Sequence, residues 1–415
     1  MVKLTFDNLR YTVQTSRSGK PASLLDKLQG KTCKRDLLLD VQGEVESGHV
    51  LAILGPSGAG KTTLLNMLCL EKKGGTPSGN IHVDGNPLTL KKYNESCAYV
   101  QQFDTLWASL SARDHITYAM ELYQPELDGT ARASAIDTLL SDVGLTESQH
   151  TKAGNEFLRG LSGGNKRRLS IAVALAKRPS IVFLDEPTSG VDSASAVMIM
   201  GFLARMAASS NVAAVCTIHQ PPASVFAGFD NCMILSMGRV AYFGSAQAMG
   251  KYFSSIDAPP PPGTNVAEFV LDLVNKDFTA ADGVELILDK WAKRGGANYD
   301  GESESGHAAE PAGAGATLLS SAGFCSQVVT LTGRTLVVAR REPLAYLLRM
   351  FANLFVTTFF GIVYVETRNK RQDQVQSRAF MLMFSLGIPM QLILVSVYQY
   401  FYQWLSIKRE VKDGM

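Results

Sequence analysis

One stretch constrains this chain more than any other: Gly55-Pro56-Ser57-Gly58-Ala59-Gly60-Lys61-Thr62. It fits the pattern G-x-x-x-x-G-K-[ST] and follows a short apolar run, Val50 to Leu54, that reads as a buried strand. Thr62 to Cys69 then has helical character. A strand, a glycine turn and a helix form the context a phosphate loop needs. Glycines let backbone N–H groups close around phosphate oxygens, and the helix adds its positive N-terminal end. In that reading Lys61 reaches the β- and γ-phosphates and Thr62 ligates Mg²⁺. Gly55, Ser57, Gly58, Ala59, Gly60 and Thr63 complete the nucleotide cradle.

A strand that feeds such a loop belongs to an α/β fold. Ile181 to Leu184 reads as a second buried strand, and Ala213 to Ile218 as a third, ending at His219. Strands alternating with helical segments predict a mainly parallel sheet covered by helices. Between Asp104 and Lys177 the pattern turns helical, which predicts a helical insert. No internal repeat is present, so the chain carries one domain of this kind.

Charged side chains cluster where such a fold needs them. Asp185 ends an apolar strand, where a carboxylate is held rigidly near a metal, and Glu186 follows as the group to polarise an attacking water. Gln101 and Gln102 both follow a predicted strand, and either amide suits contact with Mg²⁺ and water. His219 closes the third strand within Thr217-Ile218-His219-Gln220-Pro221-Pro222.

Composition adds exclusions. The chain has 415 residues, with 40 Lys plus Arg against 38 Asp plus Glu, a net charge of +2 that gives no argument for nucleic-acid binding. Its six cysteines form neither a CxxC pair nor a zinc-like cluster, which predicts reduced thiols. The N-terminus lacks an apolar core of signal-peptide length. Gly295 to Ala316 is rich in Gly, Ala, Ser and Glu and reads as a flexible linker. Pro259 to Gly263 reads as a stiff surface turn.

The end of the chain differs from the rest. Phe324, Val328, Leu331 and Thr335 share one helical face flanked by Arg334 and Arg341, an amphipathic pattern suited to a membrane surface. Leu344 to Val365 and Ala379 to Trp404 are long apolar runs, and a bilayer core needs roughly 20 helical residues. Arg349 is the one charge in the first run, close enough to its start to snorkel. Basic residues flank both ends of the pair, but the loop from Glu366 to Arg378 is basic too, so charge orients the hairpin only weakly.

Leu161-Ser162-Gly163-Gly164-Asn165 lies between the phosphate loop and the Asp-Glu strand, and resembles the signature turn of ATP-binding-cassette (ABC) proteins. Pro187-Thr188-Ser189-Gly190-Val191-Asp192 resembles their D-loop. The spacing Tyr99-Val100-Gln101-Gln102-Phe103-Asp104 is similar to their Tyr-Val-x-Gln-x-Asp and favours Gln102. His219 matches the switch histidine that touches the γ-phosphate. Thr217 to Pro221 reads like the TIHQP of the G subfamily (White-type half-transporters). Lys166-Arg167-Arg168, Tyr252-Phe253 with Pro259 to Phe269, and Gln327 to Pro343 resemble further segments of that subfamily, which places its ATPase domain before its membrane domain.

The resemblance implies an α/β P-loop ATPase domain over 1–294, a linker over 295–319, a connecting helix over 320–342 and the start of a helical transmembrane domain over 343–415, with spans at about 344–365 and 379–404. It implies ATP and Mg²⁺, with Thr62, Gln102 and Asp185 at the metal, Glu186 and His219 in catalysis, and Ser162, Gly163, Gly164 and Asp192 reaching ATP held by a second subunit, identical or not. The expected function is an ATP-driven exporter subunit in a membrane, its ATPase domain cytosolic, moving lipid, sterol or other hydrophobic cargo. Two alternatives stand beside it: a truncated product that binds ATP without transporting, and a non-transport ABC ATPase. Asn165 replaces the usual Glu or Gln, no adenine-stacking aromatic is assignable, with Tyr11 too distant, and half-transporters carry more than the two spans read here. The last point predicts a C-terminally incomplete sequence.

Overall fold

The computed structural model describes residues 1–16, 32–71, 74–155, 158–295, 298–299, 322–365, 375–384, 404 and 406–411. The strands are β1 (Lys3–Ser16), β2 (Thr32–Glu46), β3 (Val50–Leu54), β4 (Thr76–Val83), β5 (Asn86–Pro87), β6 (Cys97–Val100), β7 (Ile181–Asp185), β8 (Ala213–Thr217), β9 (Asn231–Ser236) and β10 (Arg239–Ser245). The helices are α1 (Lys61–Leu68), α2 (Leu90–Ser96), α3 (Ala112–Tyr123), α4 (Gly129–Asp142), α5 (Gly163–Leu175), α6 (Ser193–Ser210), α7 (Ala223–Phe226), α8 (Met249–Ser255), α9 (Val266–Leu273), α10 (Ala281–Lys293), α11 (Phe324–Arg341) and α12 (Pro343–Val363). They divide into two compact units, one of residues 1–104, 133–146 and 162–320 and the other of 105–132, 147–161 and 321–415.

The first unit is built on a sheet ordered β10-β9-β3-β8-β7-β6. Every neighbour pair in it is parallel except β10 with β9. The expected parallel sheet is therefore present. Strands β3, β7 and β8 are buried along their whole length, as an apolar strand covered on both faces must be. Helix α6 packs on β3 and β8 and buries Ile199, Leu203 and Met206.

A second sheet, ordered β2-β1-β4-β5 and antiparallel throughout, was not legible in the sequence. Its register shifts between Phe6 and Leu9 and again near Tyr11 break the period-two alternation that would have announced it. Leu4, Phe6, Leu9 and Tyr11 still turn inward with Leu38, Val41 and Val45.

Register positions the site. Asp185 pairs with Thr217, and Thr217 with Ile53. Val100 pairs with Leu184. Residues just beyond these strands, Gly55, Gln102, Glu186 and His219, therefore emerge along one edge of the sheet, at its carboxyl ends.

In the second unit α3 opens with a capping box in which the Ser111 hydroxyl accepts from Asp114 N and the Asp114 carboxylate accepts from Ser111 N. Helix α11 packs on α3. The arginines read as its basic edge are taken up by protein. Both Arg334 terminal nitrogens donate to the Glu410 carboxylate at 2.8 Å, and its guanidinium lies 4.7 Å over the Trp107 ring. Trp107 Nε1 donates to the same carboxylate at 2.7 Å. Arg341 donates to Asp114 and to Ser109 O. Its exposed residues include the apolar Phe324, Val328, Val329 and Leu336 beside polar Ser326, Thr332, Thr335 and Arg340.

Helix α12 occupies the first expected span, starting with Pro343 in its first turn. Its Met350, Phe351, Leu354, Phe355, Phe359 and Ile362 are exposed. By length and hydropathy, one helix among the described residues suffices to cross a membrane, and it is α6, which belongs to the α/β unit; Met350–Val363 forms a shorter apolar stretch. The Arg349 side chain, most of the second expected span and nearly all of the expected linker lie outside the described residues.

Candidate functional site

The loop after β3 turns tightly enough that its glycines are obligatory at two points. A Cβ on Gly55 would lie 2.3 Å from Leu235 O. Gly60 caps α1 with φ +106°, and a Cβ there would lie 2.8 Å from Leu38 Cδ2. Ala59 N donates to Pro56 O, which closes the turn, while Ser57, Gly58 and Thr62 remain exposed and Thr63 half-buried.

Lys61 is 6% exposed, and its ammonium donates to Gly55 O at 2.7 Å and Pro56 O at 3.0 Å. Burial pushes its pKa down, opposed by the nearby Glu186 and Asp185 carboxylates. An ammonium folded across a glycine loop, with carbonyls as its direct partners, is a site for an oxyanion, so these residues fit a nucleotide's phosphates.

Asp185 is buried at the end of β7. Its Oδ1 accepts from Thr217 Oγ1 at 2.7 Å and lies 3.5 Å from Thr62 Oγ1, and its Oδ2 accepts from Tyr99 OH at 3.4 Å. A hydroxyl and a carboxylate side by side are the hard oxygen donors that Mg²⁺ takes when phosphates supply the remainder. Among the described residues there is no cluster of three or more His, Cys, Asp or Glu that would hold a metal alone.

Glu186 follows with φ +45°, a left-handed backbone that a non-glycine residue rarely adopts. Its N–H donates to Thr217 Oγ1 at 2.9 Å. Its Oε2 accepts from Gln102 Nε2 at 2.7 Å. Of the two adjacent glutamines, Gln102 brings its side-chain amide to the carboxylate, while the backbone carbonyls of both accept from Arg167. His219 is exposed two residues beyond β8.

The structure brings Lys61, Thr62, Gln102, Asp185 and Glu186 together and collects the signature residues elsewhere. Ser162 is the N-cap of α5, its hydroxyl accepting from Asn165 N. A Cβ on Gly164 would lie 2.9 Å from Ser195 Oγ, and one on Gly163 would lie 3.8 Å from Gly190 O. Asp192 caps α6, accepting from Ser195 N at 2.9 Å and Ser195 Oγ at 2.7 Å. Signature turn and D-loop therefore form one exposed patch. The Asn165 amide oxygen accepts from Arg168, which also donates to Val143 O and Gly144 O. Tyr11 is buried in β1 with its hydroxyl accepting from Gly75 N, so its ring has no face to offer a base.

Sequence reasoning missed Tyr99, Thr217 and Arg167. Burial, and then the Asp185 charge, raise the Tyr99 phenol, so it stays a donor. The first two stand on strand ends beside residues that were identified, and that adjacency was the available signal. Four of the cysteines are buried and two exposed, with no disulfide among the described residues.

Residues 38–189 match a family model described as "ABC transporter". The chain is 41% identical over 254 residues to ABC transporter G family member 13 of Arabidopsis thaliana, covering 60% of this chain and 37% of that protein. It is 32% identical over 396 residues to ABC transporter G family member 1 of Petunia hybrida, covering 92% and 60%. It is 33% identical over 319 residues to ABC transporter G family member 4 of Dictyostelium discoideum, covering 70% and 40%. The chain thus spans 37–60% of the length of these relatives.

Proposed function

Because the chain belongs to the ABC transporters, and G-family members are among its relatives, we propose that it is the ATP-hydrolysing part of a membrane exporter subunit. The observation that carries this reading is the convergence of Lys61, Thr62, Asp185, Glu186 and Gln102 on one sheet edge. Lys61 and the loop of Gly55, Ser57, Gly58, Ala59 and Gly60, with Thr63, would bind the phosphates. Thr62, Asp185 and Gln102 would hold Mg²⁺, which when bound neutralises charge on the phosphoryl oxygens. Glu186 would orient and deprotonate the attacking water, and His219 would approach the γ-phosphate.

The patch of Ser162, Gly163, Gly164 and Asp192 is exposed at Ser162, Gly163 and Asp192, which supports a role on the nucleotide of a second subunit. Residues 1–294 would form the cytosolic ATPase domain, 295–319 a linker, 320–342 a connecting helix and 343–415 the start of the membrane domain. The exposed apolar side chains of α12, such as Phe351, Leu354, Phe355 and Ile362, support that last assignment, since an apolar surface of this kind requires lipid or protein cover. Lipid, sterol or another hydrophobic molecule is the proposed cargo.

The test is Glu186→Gln. ATP binding is retained and hydrolysis falls by about two to three orders of magnitude, in the range for loss of a general base. Wild-type turnover in this variant overturns the assignment.

A further inference from the structure

We propose that Arg167 is a positioning residue that holds Glu186 in its left-handed backbone and fixes the Gln102 segment against it. The inference rests on the hydrolytic reading of this site and names a residue that reading does not use. Arg167 is 2% exposed, on the first turns of α5. Its Nη2 donates to Asp185 O at 2.6 Å and its Nε to Pro187 O at 3.2 Å. These are the carbonyls of the residues before and after Glu186, whose φ is +45°. The guanidinium therefore grips the peptide unit that enters the strained residue and the one that follows Pro187, while Glu186 O between them accepts from Ser189 N. Backbone strain of this kind persists where the surroundings over-determine it.

The other edge of the same guanidinium faces the glutamine segment. Its Nη1 donates to Gln101 O and to Gln102 O, the latter at 3.3 Å, and lies 3.4 Å from Asp104 Oδ1. One planar cation thus joins two loops that meet at their side chains through the 2.7 Å contact between Gln102 and Glu186. A flexible ammonium is a point charge and does not span these carbonyls in one plane. Thr217 anchors the Glu186 N–H, so the carboxylate's position is set by Thr217 on one side and Arg167 on the other.

The test compares Arg167→Met and Arg167→Lys in the full chain with wild type. In Arg167→Met, kcat falls about 10²-fold, the scale of a small misplacement of a catalytic group. Arg167→Lys falls between the two, and ATP affinity stays within about twofold in both. In a Glu186→Gln background Arg167→Met lowers the residual rate no further. Wild-type kcat in Arg167→Met, or an equal loss of kcat and ATP affinity, or an undiminished effect in the Glu186→Gln background, overturns the proposal. Hydrogen exchange separates this from failure of the hydrolytic reading. Even if wild type does not turn over, the amides of Glu186, Thr188 and Ser189 exchange at least about tenfold faster in Arg167→Lys while those of β8 do not change. Unchanged exchange at these three amides sinks the clamp by itself.

Discussion

Two arginines buried in different units put the same cation to opposite uses. Arg167, in the α/β unit, spends its donors on four backbone carbonyls and approaches one carboxylate, Asp104, at 3.4 Å. Arg334, in the helical unit, gives both terminal nitrogens to the single carboxylate of Glu410 and its face to Trp107. The first arrangement shapes backbone, and no side-chain change can remove the carbonyls it serves. The second joins two side chains, each of which becomes a liability when the other is lost. The α/β unit therefore stores geometry in its arginine, and the helical unit stores cohesion.

The largest effect should come from breaking the second arrangement from one side. Arg334→Met leaves the half-buried Glu410 with Trp107 as its donor among the described residues and destabilises the helical unit by about 3 kcal/mol, read by denaturant unfolding. Adding Glu410→Leu recovers most of that loss, because an apolar pair replaces the ions. A double variant as unstable as the single one erases the contrast with Arg167, whose backbone carbonyls a second substitution leaves in place.

A smaller effect follows from His115, whose imidazole is buried in the helical unit. Its Nε2 accepts from Trp107 N at 3.0 Å and its Nδ1 donates to Ser111 O at 2.8 Å. Burial pushes its pKa down from 6.5 to about 4, opposed by the Ser111 carbonyl. A base held neutral in the folded state stabilises fully above its unfolded pKa, and the contribution is lost as pH falls from about 6.5 to 4. The loss amounts to about 3 kcal/mol at the lower limit, from 1.36 kcal/mol for each pKa unit. Unfolding followed at pH 7, 5 and 4 checks it. His115→Gln flattens the profile if the residue is the cause.

The smallest belongs to Arg341 and Asp114. Burial would raise the Asp114 carboxyl, but Arg341 and the Ser111 N–H outweigh it and hold it below the usual carboxylate value of 3.8. Its contribution is present above that value and is lost as pH falls through the lowered pKa. Both side chains are partly exposed, so Arg341→Gln costs no more than about 1 kcal/mol at pH 7. A loss as large as that of Arg334→Met would mean that exposure does not separate the two pairs.

What was legible in the sequence was local. The phosphate loop, the apolar strands and the Asp185-Glu186 pair announce themselves within a few residues because strand, turn and helix chemistry is written contiguously. Arg167 was read as part of a basic run, and its role is invisible there, since its partners are carbonyls of Asp185 and Gln101, 18 and 66 positions away. Thr217 and Tyr99 were missed for the same reason, joining Asp185 across 32 and 86 positions. The antiparallel sheet was hidden by its own bulges, which interrupt the alternation in β1. In the sequence Arg334 and Arg341 of α11 form a basic edge by spacing, and spacing does not reveal that Glu410 and Asp114 meet them.

The pairing of Asp185 with Thr217, and of Thr217 with Ile53, makes the sheet a ruler whose divisions are strands about 4.8 Å apart. A ruler tolerates changes anywhere except along its graduations. One residue inserted between Ile181 and Asp185 would turn the carboxylate to the opposite face while the rest of the unit kept its core. Drift in length is therefore confined to the connections between the strands, where nothing is being measured.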